Sequence, residues 1–209
     1  METVAAFFKD GGIFVKFILV VSIIGFAIMV ERAIFLLYKY NVDGKVLWKK
    51  VSGFIRDNDV EGAKAICSNN SVPLMKIMNY GLEASSGSAK DIQNAIDEAA
   101  LEVIPSVDKR VTYLSTLANV ATLLGLLGTI QGLIQAFSAI AVADPSQKAA
   151  LLAKGISIAL YSTASGLVVA IPMLIMYTIL QAKSQKIIDE IDEFSVKLVN
   201  LLSRGKSGV

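Results

Sequence analysis

Hydroxyl-bearing side chains recur at helical spacing in two long apolar stretches of this sequence. In the stretch 114–140, Thr122 and Thr129 are seven residues apart, which places them near one face of a helix. Ser162 and Thr163 lie in the second stretch, again among apolar and small residues. A hydroxyl offers one donor and two acceptor lone pairs, so it can relay protons through water or coordinate Na⁺. We therefore predict that Thr129 and Thr163 line a path for a small cation, with Thr122 and Ser162 beside them.

Small residues form a second stripe with the same helical period. Its glycines are Gly125, Gly128, Gly132 and Gly166. Because glycine gives lipid no packing surface and lets two helices approach closely, these positions predict helix–helix packing. Pro172 should kink its helix or loosen one backbone hydrogen bond. Assembly alone is the alternative explanation of both stripes, since interhelical hydrogen bonds from Ser and Thr contribute roughly 0.6 to 2 kcal/mol each.

Both stretches lack acidic and basic side chains. No Asp, Glu, Lys or Arg lies between Tyr113 and Ala141 or between Ile156 and Gln181. Neither helix can hold a proton or pair with a cation by itself, so an ion pathway here requires a carboxylate from a partner subunit. Moving one charge across 100 mV is worth about 2.3 kcal/mol, which is a modest but repeatable source of energy for movement.

Composition places the chain among integral membrane proteins. It is 54% hydrophobic and 18% charged, with a mean hydropathy of +0.60, well above ordinary soluble domains. The net charge of +2 gives no basis for nucleic-acid binding. There is no histidine and a single cysteine, Cys67, which excludes His-based triads, His-ligated metals and an internal disulfide. We expect no enzyme activity, no cofactor and no structural metal.

Three stretches are long enough to cross a hydrocarbon layer about 30 Å thick as helices. The predicted transmembrane helices are 13–38, 113–141 and 153–181. Glu31 and Arg32 come near the end of the first, where we expect an ion pair at the membrane boundary, either with each other or with a partner.

Positive charges predict the orientation of these spans. Lysines and arginines follow the first span, precede the second and follow the third, namely Lys39, Lys45, Lys49, Lys50, Arg56, Lys109, Arg110, Lys183 and Lys186. By the positive-inside rule, 39–112 and 182–209 are cytoplasmic, while 1–12 and the loop 142–152 are outside.

The cytoplasmic segment 39–112 is predicted to be helical. Ser88 and Asp91 have the spacing of a capping box for a helix that continues through a kink at Pro105 into the second span. The third span similarly continues into an amphipathic helix over 182–209. The predicted fold is thus an all-α integral membrane protein with three transmembrane helices, the second and third extended into a helical cytoplasmic domain.

The same stretches resemble a known family. The run ATLLGLLGTIQGLIQAF from Ala121 and the run KGISIALYSTASGLVVAIP from Lys154 are similar to the MotA/TolQ/ExbB proton-channel family, and Glu31-Arg32 is similar to the end of that family's first helix. Chain length and three spans resemble the ExbB/TolQ branch more than the four-span MotA branch.

This resemblance implies a motor in the bacterial inner membrane. Five copies of the chain would surround a dimer of an ExbD/TolR-like subunit, whose single transmembrane helix brings the missing aspartate, with a TonB/TolA-like protein as a further partner. Flow of H⁺ would drive rotation or rearrangement and so deliver work to the cell envelope. The family's pore threonines fall on Thr129 and Thr163.

Two positions depart from the family's usual pattern. Ile158 stands where ExbB and TolQ usually carry glutamate, and Thr122 replaces a frequent proline. An oxygen-rich, acid-poor lining would suit Na⁺, with Thr129 and Thr163 as candidate ligands. A Na⁺-driven version of the motor and a non-conducting membrane scaffold are therefore the alternatives to a proton-driven motor.

Overall fold

The protein is all-α, as predicted. The computed structural model describes residues 12–207, with side chains up to 203, so most of the predicted outside segment 1–12 and the last two residues lie outside the described part. Its helices are α1 (Gly12–Ala33), α2 (Gly44–Arg56), α3 (Val60–Ser68), α4 (Pro73–Glu83), α5 (Ala89–Asp108), α6 (Val111–Ala141) and α7 (Lys148–Ser207). A π-helical turn (Ile34–Lys39) follows α1 and a 3-10 turn (Ala84–Ser86) follows α4.

Three candidate membrane spans occur in the described chain. They are Gly12–Lys39, Ala89–Ala141 and Lys148–Ser203, each long and apolar enough to cross a bilayer. The second and third are much longer than a bilayer requires, in agreement with the predicted extensions.

The described residues divide into two compact units. The first contains 12–31 and 110–179, and the second contains 32–109 and 180–207.

In the first unit, α6 packs antiparallel on the first half of α7 through small residues. A Cβ atom on Gly166 would lie 2.6 Å from the Ala121 carbonyl oxygen, and one on Gly132 would lie 2.9 Å from the Ala159 backbone nitrogen. These distances are shorter than any side chain tolerates, so the two backbones are as close as glycine permits. Gly125 is buried in the same interface.

Helix α1 packs against one side of this pair. A cluster of buried residues from α6 and α7 is covered by apolar side chains of α1, and its members are Ala118, Ala121, Ala170 and Met173 with Val21, Met29, Leu117 and Val169 around them. Gly25 of α1 leaves the space that the Met173 side chain fills. The rest of α1 carries large apolar side chains that are exposed in the single chain, such as Phe17, Ile23 and Phe26.

Local capping signals determine where the helices of the second unit begin. The Asp43 carboxylate accepts from the Lys45 backbone N–H at 2.9 Å, and Asp59 does the same for Gly62 at 2.8 Å. Ser88 and Asp91 form the predicted capping box at the start of α5. The core of this unit includes Ile77, Leu82, Ile92, Ile96, Phe194 and Leu198.

The interruption before the second span lies at Lys109–Arg110 and not at Pro105. Helix α5 runs through Pro105 to Asp108, and α6 begins at Val111. Arg110 has φ of 63°, in the left-handed region. A residue in that conformation cannot continue the right-handed hydrogen-bond pattern, so the break occurs there. Proline has no backbone N–H to donate, yet the helix α5 continues through Pro105.

Candidate ion-pathway lining of the membrane helices

The Thr163 side chain forms a hydrogen bond between two membrane helices. Its hydroxyl on α7 donates to the backbone carbonyl of Gly125 on α6 over 3.3 Å. This approach depends on Gly125, because a Cβ atom there would lie 3.3 Å from the Thr163 Cα and 3.2 Å from the Ser162 carbonyl oxygen. Thr163 is half-buried.

Thr122 and Thr129 lie on the same side of α6 as each other. They are three residues before and four residues after Gly125, which places both on one flank of the small-residue stripe. The Thr122 hydroxyl donates to the Ala118 carbonyl over 3.1 Å, and the Thr129 hydroxyl donates to the Leu126 carbonyl over 2.5 Å. Both side chains are half-buried.

All three threonine hydroxyls therefore give their only proton to the main chain. A hydroxyl has one O–H donor and two lone pairs, so what remains for other partners is acceptor capacity. Backbone carbonyls near them are acceptors too. The chemistry of this threonine flank, defined as Thr122, Thr129 and Thr163, suits a cation or the hydrogens of water and offers no donor to an anion.

Helix α1 lies on the opposite flank. Thr122 is three residues before Gly125 and Gly128 is three residues after it, so the two lie on opposite sides of Gly125 around the helix. A Cβ atom on Gly128 would lie 3.3 Å from the Phe14 Cβ of α1. Gly25 of α1 is also in contact with the Met173 side chain of α7. The threonine flank is thus not the face that α1 covers.

Ser162 is placed apart from the three threonines. Its side chain is 0% exposed, and its hydroxyl has no hydrogen-bond partner among the described residues. The Ser162 side chain occupies the space beside Gly128, where a Cβ atom on residue 128 would collide with the Ser162 Oγ. The structure therefore gives Ser162 a packing position inside the α6–α7 interface, although the sequence predicted it beside Thr163 in the lining.

Two other predicted positions also have defined surroundings. Ile158 is half-buried, and its Cγ2 atom is 3.5 Å from where a Cβ on Gly12 would lie, on the α1 side. Pro172 sits in the interior of α7, which remains one helix from Lys148 to Ser207.

The predicted pair Glu31 and Arg32 has partners far along the chain. Arg110 Nη1 donates to both Glu31 carboxylate oxygens, at 2.7 and 2.9 Å. Arg32 is buried, its Nη1 donates to the Ser106 carbonyl over 3.4 Å, and its guanidinium lies 5.5 Å from the centre of the Phe35 ring. The sequence analysis did not predict Arg110 as the partner of Glu31, because 79 residues separate the two. The one feature of the sequence that pointed to this pair is that both charged residues flank predicted spans.

The described residues contain no cluster of side chains of the kind that usually binds a metal ion. No group of three or more His, Cys, Asp or Glu side chains comes together there. Oxygen ligands for a cation would have to come from hydroxyls, backbone carbonyls and other molecules.

The fold and this site define a class of protein: a three-span helical membrane protein in which the second and third helices form a charge-free, hydroxyl-bearing pair. Residues 69–193 match the model of the MotA/TolQ/ExbB proton channel family, and the chain belongs to that family. Within the family it belongs to the ExbB/TolQ-like branch, as predicted.

Individual relatives agree with this assignment over nearly the whole chain. The chain is 27% identical to the TolQ protein of the Tol-Pal system of Haemophilus influenzae, covering 96% of this chain and 94% of the relative. It is 30% identical to an ExbB-like protein of Synechocystis, covering 82% of each. It is also 27% identical to an ExbB homologue of Methanothermobacter thermautotrophicus, covering 91% of this chain and 67% of the relative.

Proposed function

We propose that this chain is the ion-channel and stator subunit of an inner-membrane motor complex that couples proton motive force to mechanical work on the cell envelope. The observation that carries the proposal is the threonine flank, in which Thr122, Thr129 and Thr163 each donate to a backbone carbonyl and keep their lone pairs. Such a flank attracts cations and water hydrogens but holds no charge that would trap them.

The motor needs an acidic partner. Because α6 and α7 carry no Asp, Glu, Lys or Arg between 113 and 141 or between 156 and 181, we place the proton-accepting carboxylate on another polypeptide. We assign this role to a dimer of an ExbD/TolR-like subunit, each with one membrane helix bearing an aspartate. Five copies of this chain would surround it, and a TonB/TolA-like protein would receive the work.

The proposed arrangement in the membrane follows the positive charges. The proposed spans are 13–38, 113–141 and 153–181. The N-terminus and the loop 142–152 would lie outside, and the positively charged segments 39–112 and 182–209 would lie in the cytoplasm. The α6 and α7 side chains exposed in the single chain, including Leu123, Ile130, Phe137, Leu160 and Val168, would then face lipid or neighbouring subunits.

A Na⁺-driven version of the same motor is the second candidate. The observation that favours it is the short separation of two hard oxygen atoms, Thr163 Oγ1 and the Gly125 carbonyl oxygen, on a flank without acids. Because residue 158 is isoleucine, the chain has no carboxylate at that position that could bind a proton. A non-conducting scaffold would explain the glycine packing and the Thr163–Gly125 hydrogen bond between the helices, but Thr122 and Thr129 donate only within α6 and join no helices.

Flux through reconstituted vesicles tests these possibilities. The chain is co-purified with the single-span partner, placed in liposomes and exposed in turn to a pH gradient and a Na⁺ gradient under an applied potential. The proposal predicts H⁺ flux that disappears when the partner's intramembrane aspartate is changed to asparagine. Na⁺ flux with the same dependence would favour the second candidate, whereas no flux of either ion would leave only the scaffold.

A further inference from the structure

The second unit contains a cavity of about 370 Å³ between α2 and α7. It is lined by Trp48, Arg56, Lys197, Asn200 and Leu201. Its size is within the range of pockets that hold small molecules or the side chains of a bound peptide. Its lining combines an aromatic ring and an aliphatic side chain with two cations.

Aromatic packing fixes the floor of this cavity. The Trp48 ring stacks on Phe194, with the ring centres 5.8 Å apart and the planes at 22°. Phe194 is buried, so the indole is held in place on a rigid support. Lys197 Nζ lies 4.9 Å from the centre of the same Phe194 ring and also pairs with Glu193 at 2.5 Å.

A row of positive charges leads along α2 to the cavity. Lys45, Lys49 and Arg56 occupy positions i, i+4 and i+11 of that helix, hence one face of it. All three are exposed, and none forms an ion pair with another described residue. At 1.5 Å per residue the row is roughly 16 Å long. Helix α2 contains no acidic residue between Gly44 and Arg56.

We propose that this face of α2 binds an acidic peptide segment of a partner protein, with one apolar side chain of that segment in the cavity against Trp48 and Leu201. Charge complementarity identifies the occupant. Lys45, Lys49 and Arg56 have no ion-pair partner among the described residues, and they form a line along the helix and not a compact cluster. A line of this length suits carboxylates along an extended or helical segment. The apolar part of the cavity suits an anchoring side chain, which a headgroup surface would not supply.

The single tryptophan provides a direct readout. Trp48 is the only tryptophan of the chain, so fluorescence from the full-length protein in nanodiscs of zwitterionic lipid reports on this cavity alone. The probe is a synthetic peptide of glutamates with one central leucine, titrated against the protein. The expected result is a saturable shift of the Trp48 emission that weakens as salt is added. The matched lysine peptide should give none.

A charge-removing variant and a matched control complete the test. Lys49→Gln combined with Arg56→Gln should weaken binding of the glutamate peptide by about tenfold, because it removes two of the three positive charges of the row. Lys90→Gln combined with Lys109→Gln removes the same charge from exposed positions outside the α2 row and should change binding by less than about twofold. Equal weakening by both double variants, no response of Trp48, or a Trp48 response to anionic vesicles that matches the response to the peptide would overturn the proposal.

Discussion

The Thr163 hydroxyl and the Gly125 carbonyl, 3.3 Å apart, join α6 to the charge-free membrane segment of α7. The bond depends on close backbones, since Gly125 has no side chain to hold α7 away. Small residues therefore determine where the hydroxyl lies, and the hydroxyl in turn leaves its lone pairs on the threonine flank. Packing and proposed ion chemistry use the same few positions.

Removing the Thr163 hydroxyl should impair ion flux without unfolding the protein. Thr163→Val keeps the shape but loses one oxygen ligand and the hydrogen bond that joins α7 to the Gly125 carbonyl of α6, so flux with the partner should fall by about tenfold or more. Thr163→Ser keeps the oxygen and should stay within about threefold of the parent. Thr178 is the control in the same span of α7, because its hydroxyl donates to the Leu174 carbonyl of its own helix at 3.0 Å and not across to α6 as the Thr163 hydroxyl does. If Thr178→Val reduced flux as much as Thr163→Val, the threonine flank would have no special role.

Adding one methyl group in the α6–α7 interface should destabilise the first unit. In Gly166→Ala the new Cβ would lie 2.6 Å from the Ala121 carbonyl oxygen, which should cost about 1 to 3 kcal/mol as the helices separate. Gly53 on α2 faces open space, with no atom of a neighbouring element within 4 Å of where a Cβ would lie. Gly53→Ala should therefore be neutral or stabilise by about 0.5 to 1 kcal/mol. Detergent-titrated unfolding followed by circular dichroism compares the two, and an equal loss in both would contradict the close-packing explanation.

The ion pair between Glu31 and Arg110 should contribute little to stability by itself. The shortest N–O distance is 2.7 Å, but the two side chains are 32% and 42% exposed, so solvent screens the attraction. A double-mutant cycle of Glu31→Gln and Arg110→Gln should give a coupling energy of about 0.2 to 1 kcal/mol. The coupling should shrink in high salt. A coupling of several kcal/mol would show that the pair is more deeply shielded than its exposure indicates.

The thiol of Cys67 should resist labelling in the folded protein. Burial raises the pKa of Cys67 from 9.0 to about 11, because the thiolate is costly away from water. Iodoacetamide should react much more slowly with the Cys67 thiol in folded protein than in denaturant from about pH 8 to 10, and the label is counted at Cys67, the only cysteine of the chain.

The same shift predicts a loss of stability in alkaline solution. Between pH 9 and 11 the unfolded thiol loses its proton while the folded thiol keeps it, so the contribution of Cys67 is complete below pH 9 and declines as the pH rises toward 11. Cys67→Ala removes this titration and should show a flatter profile over that range. Identical profiles for the two proteins would contradict the shift.

Composition and periodicity predicted the fold class and the number of membrane helices correctly, and the resemblance of the runs from Ala121 and Lys154 to a known family predicted the family correctly. These properties depend on apolar length and on local motifs such as the glycine-rich run of α6, which a sequence displays directly. The partner of Glu31 could not be predicted, because it depends on how helices 79 residues apart meet. The break at Lys109–Arg110 was not predicted: the sequence predicts one helix that continues through a kink at Pro105, because proline is the visible source of a kink, whereas a left-handed arginine leaves no mark in the sequence.

Ser162 and Thr163 show the limit most clearly. They are adjacent, chemically alike and about 100° apart around the helix. That rotation buries the Ser162 hydroxyl against Gly128 and leaves Thr163 on the threonine flank. Residue type alone could not distinguish them; the position of α1 on the Gly128 side does.

The absence of Asp and Glu from the two core spans means that these spans contribute no carboxyl band to an infrared spectrum. In infrared difference spectra of the assembled complex, a carboxyl band from the bilayer interior that responds to the applied gradient would originate outside these spans of α6 and α7. Isotopic labelling of the partner alone would then allow its protonation to be followed during turnover.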